Sequence, residues 1–311
     1  MRYTFKQLEY FVAVAECGSI AGASEKVHVS SPSISVAIAQ LEEALAARLF
    51  VRQPNGLQLT EIGSDVLIQA RSILEKAQAL HDFGSLAAGE LRGKIALGCL
   101  VTLAPLILPE ICKSFSCQHP AVTIELIDGS QDQLIGYLRR GVIDVAVTYE
   151  MHIPPDLWFE PLVGVPPLVM MDENHRFAKM SSVSLKDLES DPYILLDIPI
   201  SRDYFMSVFN KTGVTPNVRM KSTHFEVVRT MVANGQGISI GAVRPINEAA
   251  LDGKRIISIP ISNPIPVLNI GMLSRRSEFS NLASALKKHI QEIITPNSIP
   301  GMRPLDAEPI R

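Results

Sequence analysis

Between Gly89 and Gly93 the spacing of apolar residues changes, and this break constrains the chain more than any other feature. Before it, apolar side chains recur every three or four residues, the period of amphipathic helices. After it, β-branched runs such as "KIALGCL" (94–100), "VTIELIDG" (122–129) and "IDVAVTYE" (143–150) alternate with helical patterns at 103–116 and 131–140. The two textures in separate halves point to separate units of the chain. Its 311 residues, 47% of them hydrophobic, suffice for two or three buried cores.

The first half reads as three helices and a hairpin. Phe5, Leu8, Phe11, Val12 and Ala15 make one apolar stripe, ending near Cys17-Gly18. Ser19 caps a second helix carrying Ala23 and Val27 inward. After the turn "HVS" (28–30), Ser30 or Ser31 caps a third helix with Pro32 in its first turn and Ile34, Ile38, Leu41 and Leu45 on one side. Two helices, a three-residue turn and a third helix form a helix-turn-helix. "LFVRQPNGLQLT" then reads as a small hairpin around Pro-Asn-Gly, a wing. From Thr60 to about Ala88 runs a long helix with Ile62, Val66, Ile73, Ala77 and Leu80 at nearly heptad spacing, suited either to packing on its own domain or to dimerisation.

The second half reads as α/β with a largely parallel sheet. A second such pattern runs from Leu162 to about Ile261, with helices near 202–211 and 225–234. The strand "PVLNIGML" (266–273) and the helix "FSNLASALKKHIQEII" (279–294) close the module, and the Pro-rich end reads as a loose tail. The boundaries are 1–59 for the head, 60–90 for the linker helix, 91–300 for the second module and 296–311 for the tail. Within the module, subdomain I takes 91–161 and 267–295, and subdomain II takes 162–266.

The net charge of −3 shows no basic excess. Over residues 1–58, the five cations Arg2, Lys6, Lys26, Arg48 and Arg52 meet the five anions Glu9, Glu16, Glu25, Glu42 and Glu43. Four irregularly spaced cysteines give neither a disulfide framework nor a zinc pattern, and read as small core residues of a reduced compartment. No stretch has signal-peptide layout or membrane-span length, so the expected location is cytoplasmic. "GISIG" (237–241) matches a nucleophile elbow, which would make Ser239 a hydrolase serine. The elbow needs strand then helix, and here the helix "FEVVRTMVANGQG" comes first.

The segments "LEYFVAVAECGSIAGASEKVHVSSPSISVAIAQLEEALAARLFVR" and "GLQLTEIG", with the long helix and two α/β subdomains after them, resemble LysR-type bacterial transcriptional regulators over about residues 3–295. The resemblance implies a multidomain protein. Its parts are a winged helix-turn-helix head, a linker helix that pairs two heads, and a periplasmic-binding-protein-like effector module of two Rossmann-like subdomains. It implies as partners double-stranded promoter DNA, a small-molecule effector and further copies of the chain as homodimer or homotetramer; no cofactor, metal or catalytic residue is implied.

The third helix departs from the family pattern, because Ser31 and Val36 stand where long polar or basic side chains are common. From Val29 to Gln40 there is no Lys or Arg. Direct base readout through bidentate Arg or Gln is therefore poor on it, with Gln40 its one long polar group before Glu42. Ser31, Ser33 and Ser35 suit phosphates at a helix N-terminus, while Val36 and Ala37 suit thymine methyls. With Ser30, Pro32, Lys26 beside the turn, Arg48, Arg52 and Asn55 of the wing, they form the candidate DNA face, reading shape more than charge.

A sensor of this fold binds its ligand at strand carboxyl ends and helix starts. Leu100 and Thr102 follow the first strand, Ser130 the second, Thr148 ends the third, and Pro199, Ser201 and Arg202 open a helix, as does His224. The resemblance points most directly to Thr102, Thr148 and the 199–202 turn. Hydroxyls at helix N-termini suit a small organic anion. The rival readings are a small-molecule binder with a non-functional head, and a serine hydrolase.

Overall fold

The computed structural model describes residues 2–53, 56–86, 91–275 and 280–303. The chain divides into two compact units, one built mainly on residues 1–93 and the other mainly on 94–311.

The first unit opens with α1 (Phe5–Cys17), α2 (Ile20–Val27) and α3 (Ser31–Leu45), followed by β1 (Phe50–Gln53), β2 (Gly56–Leu59) and α4 (Glu61–Leu86). Each helix begins and ends for a local reason. Thr4, Ser19 and Ser30 accept backbone N–H groups at the three N-termini, and Gly18 takes the left-handed conformation after α1. Leu8, Phe11, Val14, Ala23, Ile34, Ile38 and Leu41 form the core, which Leu49, Leu67 and Ala70 complete. Burying one such large side chain stabilises by roughly 1.5–3 kcal/mol. The front of α4 therefore belongs to the head.

The heptad-like seam divides accordingly. Val66 and Ile73 pack against the head core, whereas Ile62 and Leu80 are 54% and 75% exposed. The hairpin turn needs Gly56, whose φ is +128° and whose hydrogen-bearing face lies against the Gly18 carbonyl; a Cβ there would sit 2.5 Å from that oxygen. Leu57 N–H donates to the same carbonyl at 2.8 Å, tying the wing to the end of α1.

The second unit runs β3 (Gly93–Leu100), α5 (Ala104–Gln118), β4 (Val122–Gly129), α6 (Gln131–Arg139), β5 (Val145–Tyr149), β6 (Leu157–Val165), β7 (Leu168–Asp172), β8 (Pro192–Leu196), α7 (Pro199–Thr212), β9 (Asn217–Ser222), α8 (Phe225–Ala233), β10 (Ser239–Gly241), β11 (Ile256–Pro260), β12 (Leu268–Arg275) and α9 (Asn281–Ile293). Subdomain I holds a sheet in the order β4-β3-β5-β12-β6. β3 and β5 pair in parallel, but β12 runs antiparallel to both β5 and β6. The sheet is thus mixed rather than largely parallel, because β12 returns from the second subdomain instead of from a crossover helix.

Subdomain II holds β10-β7-β11, all antiparallel, and the parallel pair β8-β9. A bridge from Tyr193 to Ile238 joins the two groups. The chain crosses between subdomains twice, and the outgoing crossing lies later than residues 161–162. Residues through Val165 still pair with β12, and Leu168 already pairs with Pro260, so Pro166-Pro167 make the outgoing strand connection.

Two further expectations are corrected. The segment after α9 is packed, not loose, through residue 303: Ile294, Ile299 and Met302 are buried, and Ile246 N–H and Arg303 N–H donate across to Gly301 and Arg244 carbonyls at 3.0 and 2.9 Å. Apolar side chains spaced along a Pro-rich stretch found a groove to fill; residues 304–311 lie outside the described ones. The cysteines are free thiols, and Cys99 alone is fully buried, while Cys17 and Cys117 are exposed.

Candidate DNA face and effector cavities

On α3, the core claims Ile34, Ala37, Ile38 and Leu41, leaving Pro32, Ser33, Ser35, Val36, Ala39 and Gln40 outward. Ala37 is 8% exposed and so does not belong to the DNA face: one helical turn after Ile34, it shares the inward stripe. Val36 stands 57% exposed. Ser30 is the N-cap; its hydroxyl accepts the Ser33 N–H at 3.4 Å and lies 2.8 Å from the Ser33 hydroxyl. Ser31 opens the helix, half-buried, and Ser35 is exposed.

The cations differ in their freedom. Lys26 Nζ lies 2.6 Å from Glu16, which also receives Arg71 of α4 at 2.5 Å, so part of its charge is spent inside the head. Arg48 lies 3.2 Å from Glu42 but is 85% exposed, and Arg52 is exposed on β1. Asn55 lies outside the described residues.

Two neighbours escaped the sequence reading. Glu42 accepts Leu49 N–H at 2.6 Å and Phe50 N–H at 3.3 Å, anchoring the entry to the wing. Gln7 donates from Nε2 to Gln40 Oε1 at 2.8 Å, and the T-x-x-Q spacing from Thr4 is a capping-box signal that could have revealed its fixed geometry.

Six of the eight expected effector residues separate into two cavities of the second unit. The first offers about 20 Å³, room for little more than one water, and is lined by Leu100, Ser130, Tyr149, Pro199, Ser201 and Tyr204 among others. It lies where α6 and α7 begin. Gln131 and Asp132 also line it. The second offers about 220 Å³ where α5 and α8 begin, and brings together Thr102, Ile198, Thr223, His224, Phe225 and Glu226. Glu226 is held by the buried Arg229 at 3.2 Å.

Thr148 and Arg202 line neither. Thr148 is fully buried and donates to Gln131 Oε1 at 3.0 Å, while Gln131 Nε2 donates to the Met151 carbonyl; Thr148 thus positions a lining residue instead of meeting the cavity. Arg202 turns to Asp197 and Asp203, each at 3.2 Å. Burial pushes the Tyr204 phenol up to about 12, and its hydroxyl donates to the Pro266 carbonyl at 3.1 Å. Tyr149 is likewise pushed up by burial.

Ser239 does not form a nucleophile. It sits fully buried on β10 and donates to the Ile194 carbonyl at 2.7 Å. The first glycine of "GISIG" answers to packing: a Cβ on Gly237, whose φ is +154°, would lie 2.4 Å from the Pro192 carbonyl oxygen. Among the described residues no group of three or more His, Cys, Asp or Glu could hold a metal ion, and no helix is long and apolar enough to cross a membrane.

The family model for the LysR substrate binding domain matches residues 88–294, and that for the bacterial regulatory helix-turn-helix protein, lysR family, matches residues 5–64. The chain belongs to the LysR family. This LysR-family chain is 28% identical over 289 residues to the DNA-binding transcriptional dual regulator OxyR of Escherichia coli, covering 91% of this chain and 94% of that one. The crystal structure of HinK, a LysR family transcriptional regulator from Pseudomonas aeruginosa, aligns with a TM-score of 0.64 at 35% identity, over 94% of this chain and 99% of the other. Full-length CbnR complexed with its target DNA shares the fold, with a TM-score of 0.56 at 24% identity over 93% and 99% of the two chains. The LysR-family chain is accordingly a transcriptional regulator with a helix-turn-helix head and an effector-binding domain.

Proposed function

We propose that this regulator binds promoter DNA of dyad symmetry through paired heads, as a cytoplasmic homodimer or homotetramer, and answers to a compact polar effector such as a small organic acid. The observation that carries the effector reading is the pairing of helix N-termini. α6 and α7 open onto the first cavity beside the Ser130 and Ser201 hydroxyls, and α5 and α8 open onto the second beside Thr102 and His224. Among the described residues neither cavity is lined by Lys or Arg, and Asp132 and Glu226 line them. This favours a ligand of low charge over a polyanion.

The first cavity is too tight here for an organic molecule, so the effector selects a more open arrangement of the two subdomains about their crossings. No cysteine lines either cavity, and burial pushes the Cys99 thiol well above the ordinary thiol range.

The head reading rests on the exposed α3 face and on Arg48 and Arg52 at the wing. It is tested by fluorescence-anisotropy titration of the full chain against DNA flanking its own gene, with scrambled competitor, across a salt series. Specific binding is expected, and Arg52→Ala should weaken it about equally on all sequences while lowering the salt slope by about one. Absence of specific binding at low salt would overturn the DNA reading and leave a small-molecule binder.

A further inference from the structure

We propose that Gln40 reads a base edge chiefly through its outward-turned NH₂ group, and that Gln7 is the positioning residue that sets this orientation. The proposal rests on the DNA-binding reading and deepens it by naming what the one long polar side chain on the α3 face recognises.

Thr4, Gln7 and Gln40 are linked by a chain of forced orientations. The backbone N–H of Thr4 can only donate, and it donates to Gln7 Oε1 at 2.7 Å. The Thr4 hydroxyl donates to the same oxygen at 3.2 Å while accepting the Gln7 N–H at 3.3 Å. Reversing the Gln7 amide would set its NH₂ group against that N–H, donor against donor. Gln7 Nε2 therefore faces Gln40, and because Nε2 has nothing to accept with, the Gln40 atom 2.8 Å away must be its carbonyl oxygen. Gln40 then presents its NH₂ group away from Gln7. It is exposed, four residues after the exposed Val36, on the same stripe of α3.

An outward NH₂ suits the adjacent acceptors N7 and O6 of guanine, and tolerates O4 of thymine. The carbonyl keeps a second lone pair after accepting from Gln7, so the bidentate match to N7 and N6 of adenine stays open as well. Cytosine, which offers a donor and no acceptor at this edge, is disfavoured.

The test is selection of bound sequences from a randomised duplex library by the full-length protein and three variants. The native protein should enrich guanine over cytosine about tenfold at one position of each half-site, the scale of one good base contact. Gln40→Ala should flatten that position alone. Gln7→Glu keeps the capping box, since a carboxylate still accepts the Thr4 N–H, but leaves only oxygen facing Gln40. The Gln40 amide should then turn over, present its carbonyl, and shift the preference from guanine towards cytosine. Gln40→Glu should shift it to cytosine without any change at Gln7.

A Gln40→Ala protein that loses affinity equally on all sequences would place Gln40 on a phosphate and overturn the proposal. So would a Gln7→Glu protein that keeps the native base preference. A native protein that enriches no sequence would instead overturn the DNA-binding reading, and this proposal with it.

Discussion

The carboxylate of Glu42, on the third helix, accepts the backbone N–H of Leu49 at 2.6 Å and that of Phe50 at 3.3 Å. A single acid on α3 thus fixes where the wing starts. Glu42→Ala leaves two part-buried N–H groups without an acceptor, at a cost of roughly 1–3 kcal/mol. Thermal melting of the head should drop, and DNA affinity with it, whereas Glu42→Gln, which keeps an acceptor, should lose less. Equal melting of all three proteins would refute the anchoring role.

Thr148 should matter for stability more than for direct ligand contact. Thr148→Val keeps the shape but removes the donor to the buried Gln131 Oε1. A buried acceptor left unmet costs about 1–3 kcal/mol. Differential scanning calorimetry should show a melting temperature lower by several degrees. Thr148→Ser, which retains the hydroxyl, should recover most of it.

His289 makes the second unit sensitive to acid. Its imidazole is buried between α9 and α5, with Nε2 2.8 Å from the Ser114 hydroxyl, and burial pushes its pKa below the ordinary 6.5. His119 adds to that lowering and Glu292 opposes it. The unfolded chain therefore takes up a proton at a higher pH than the folded one, so stability is full above about pH 6.5 and falls as the pH drops through the folded value. Melting curves at pH 7.5 and 5.5 should show a larger loss for the native protein than for His289→Asn. A loss of the same size in both would assign the acid sensitivity elsewhere.

The segment after α9 contributes to the fold. Ile299 is 5% exposed, Gly301 lies against Leu106, and Arg303 reaches Glu248 at 2.7 Å. Ile299→Ala should cost about 2–5 kcal/mol, as for other buried aliphatic truncations. Denaturant titration would measure it; a change below half a kcal/mol would mean that the segment is only laid on the surface.

Much of this was legible because the signals were local. Ser19 and Ser30 announce helix starts by spacing alone, and the stripe Ile34, Ile38, Leu41 carries its period in the sequence. The wing followed from Pro-Asn-Gly between two short runs. The candidate effector residues were legible as helix starts, since a strand end followed by a hydroxyl and a helical pattern marks such a place. Illegible were the residues whose role depends on direction: Ala37 faces the core, Thr148 points at Gln131, and Arg202 turns to Asp197. One helical step or one strand alternation decides each, and sequence boundaries blur by more than that.

The sequence by itself determined where the helices and strands lie and which of their faces are apolar, because caps, turns and periodicity act within a few residues of one another. Only the tertiary structure decided that the sheet of subdomain I is mixed, that six of the eight predicted ligand residues fall into two cavities, and that Gln7 meets Gln40. Those outcomes depend on contacts between residues far apart in the chain, such as β12 with β5 or Thr4 and Gln7 with Gln40. Their energies exist only once the chain has closed the intervening loops, so no local pattern records them.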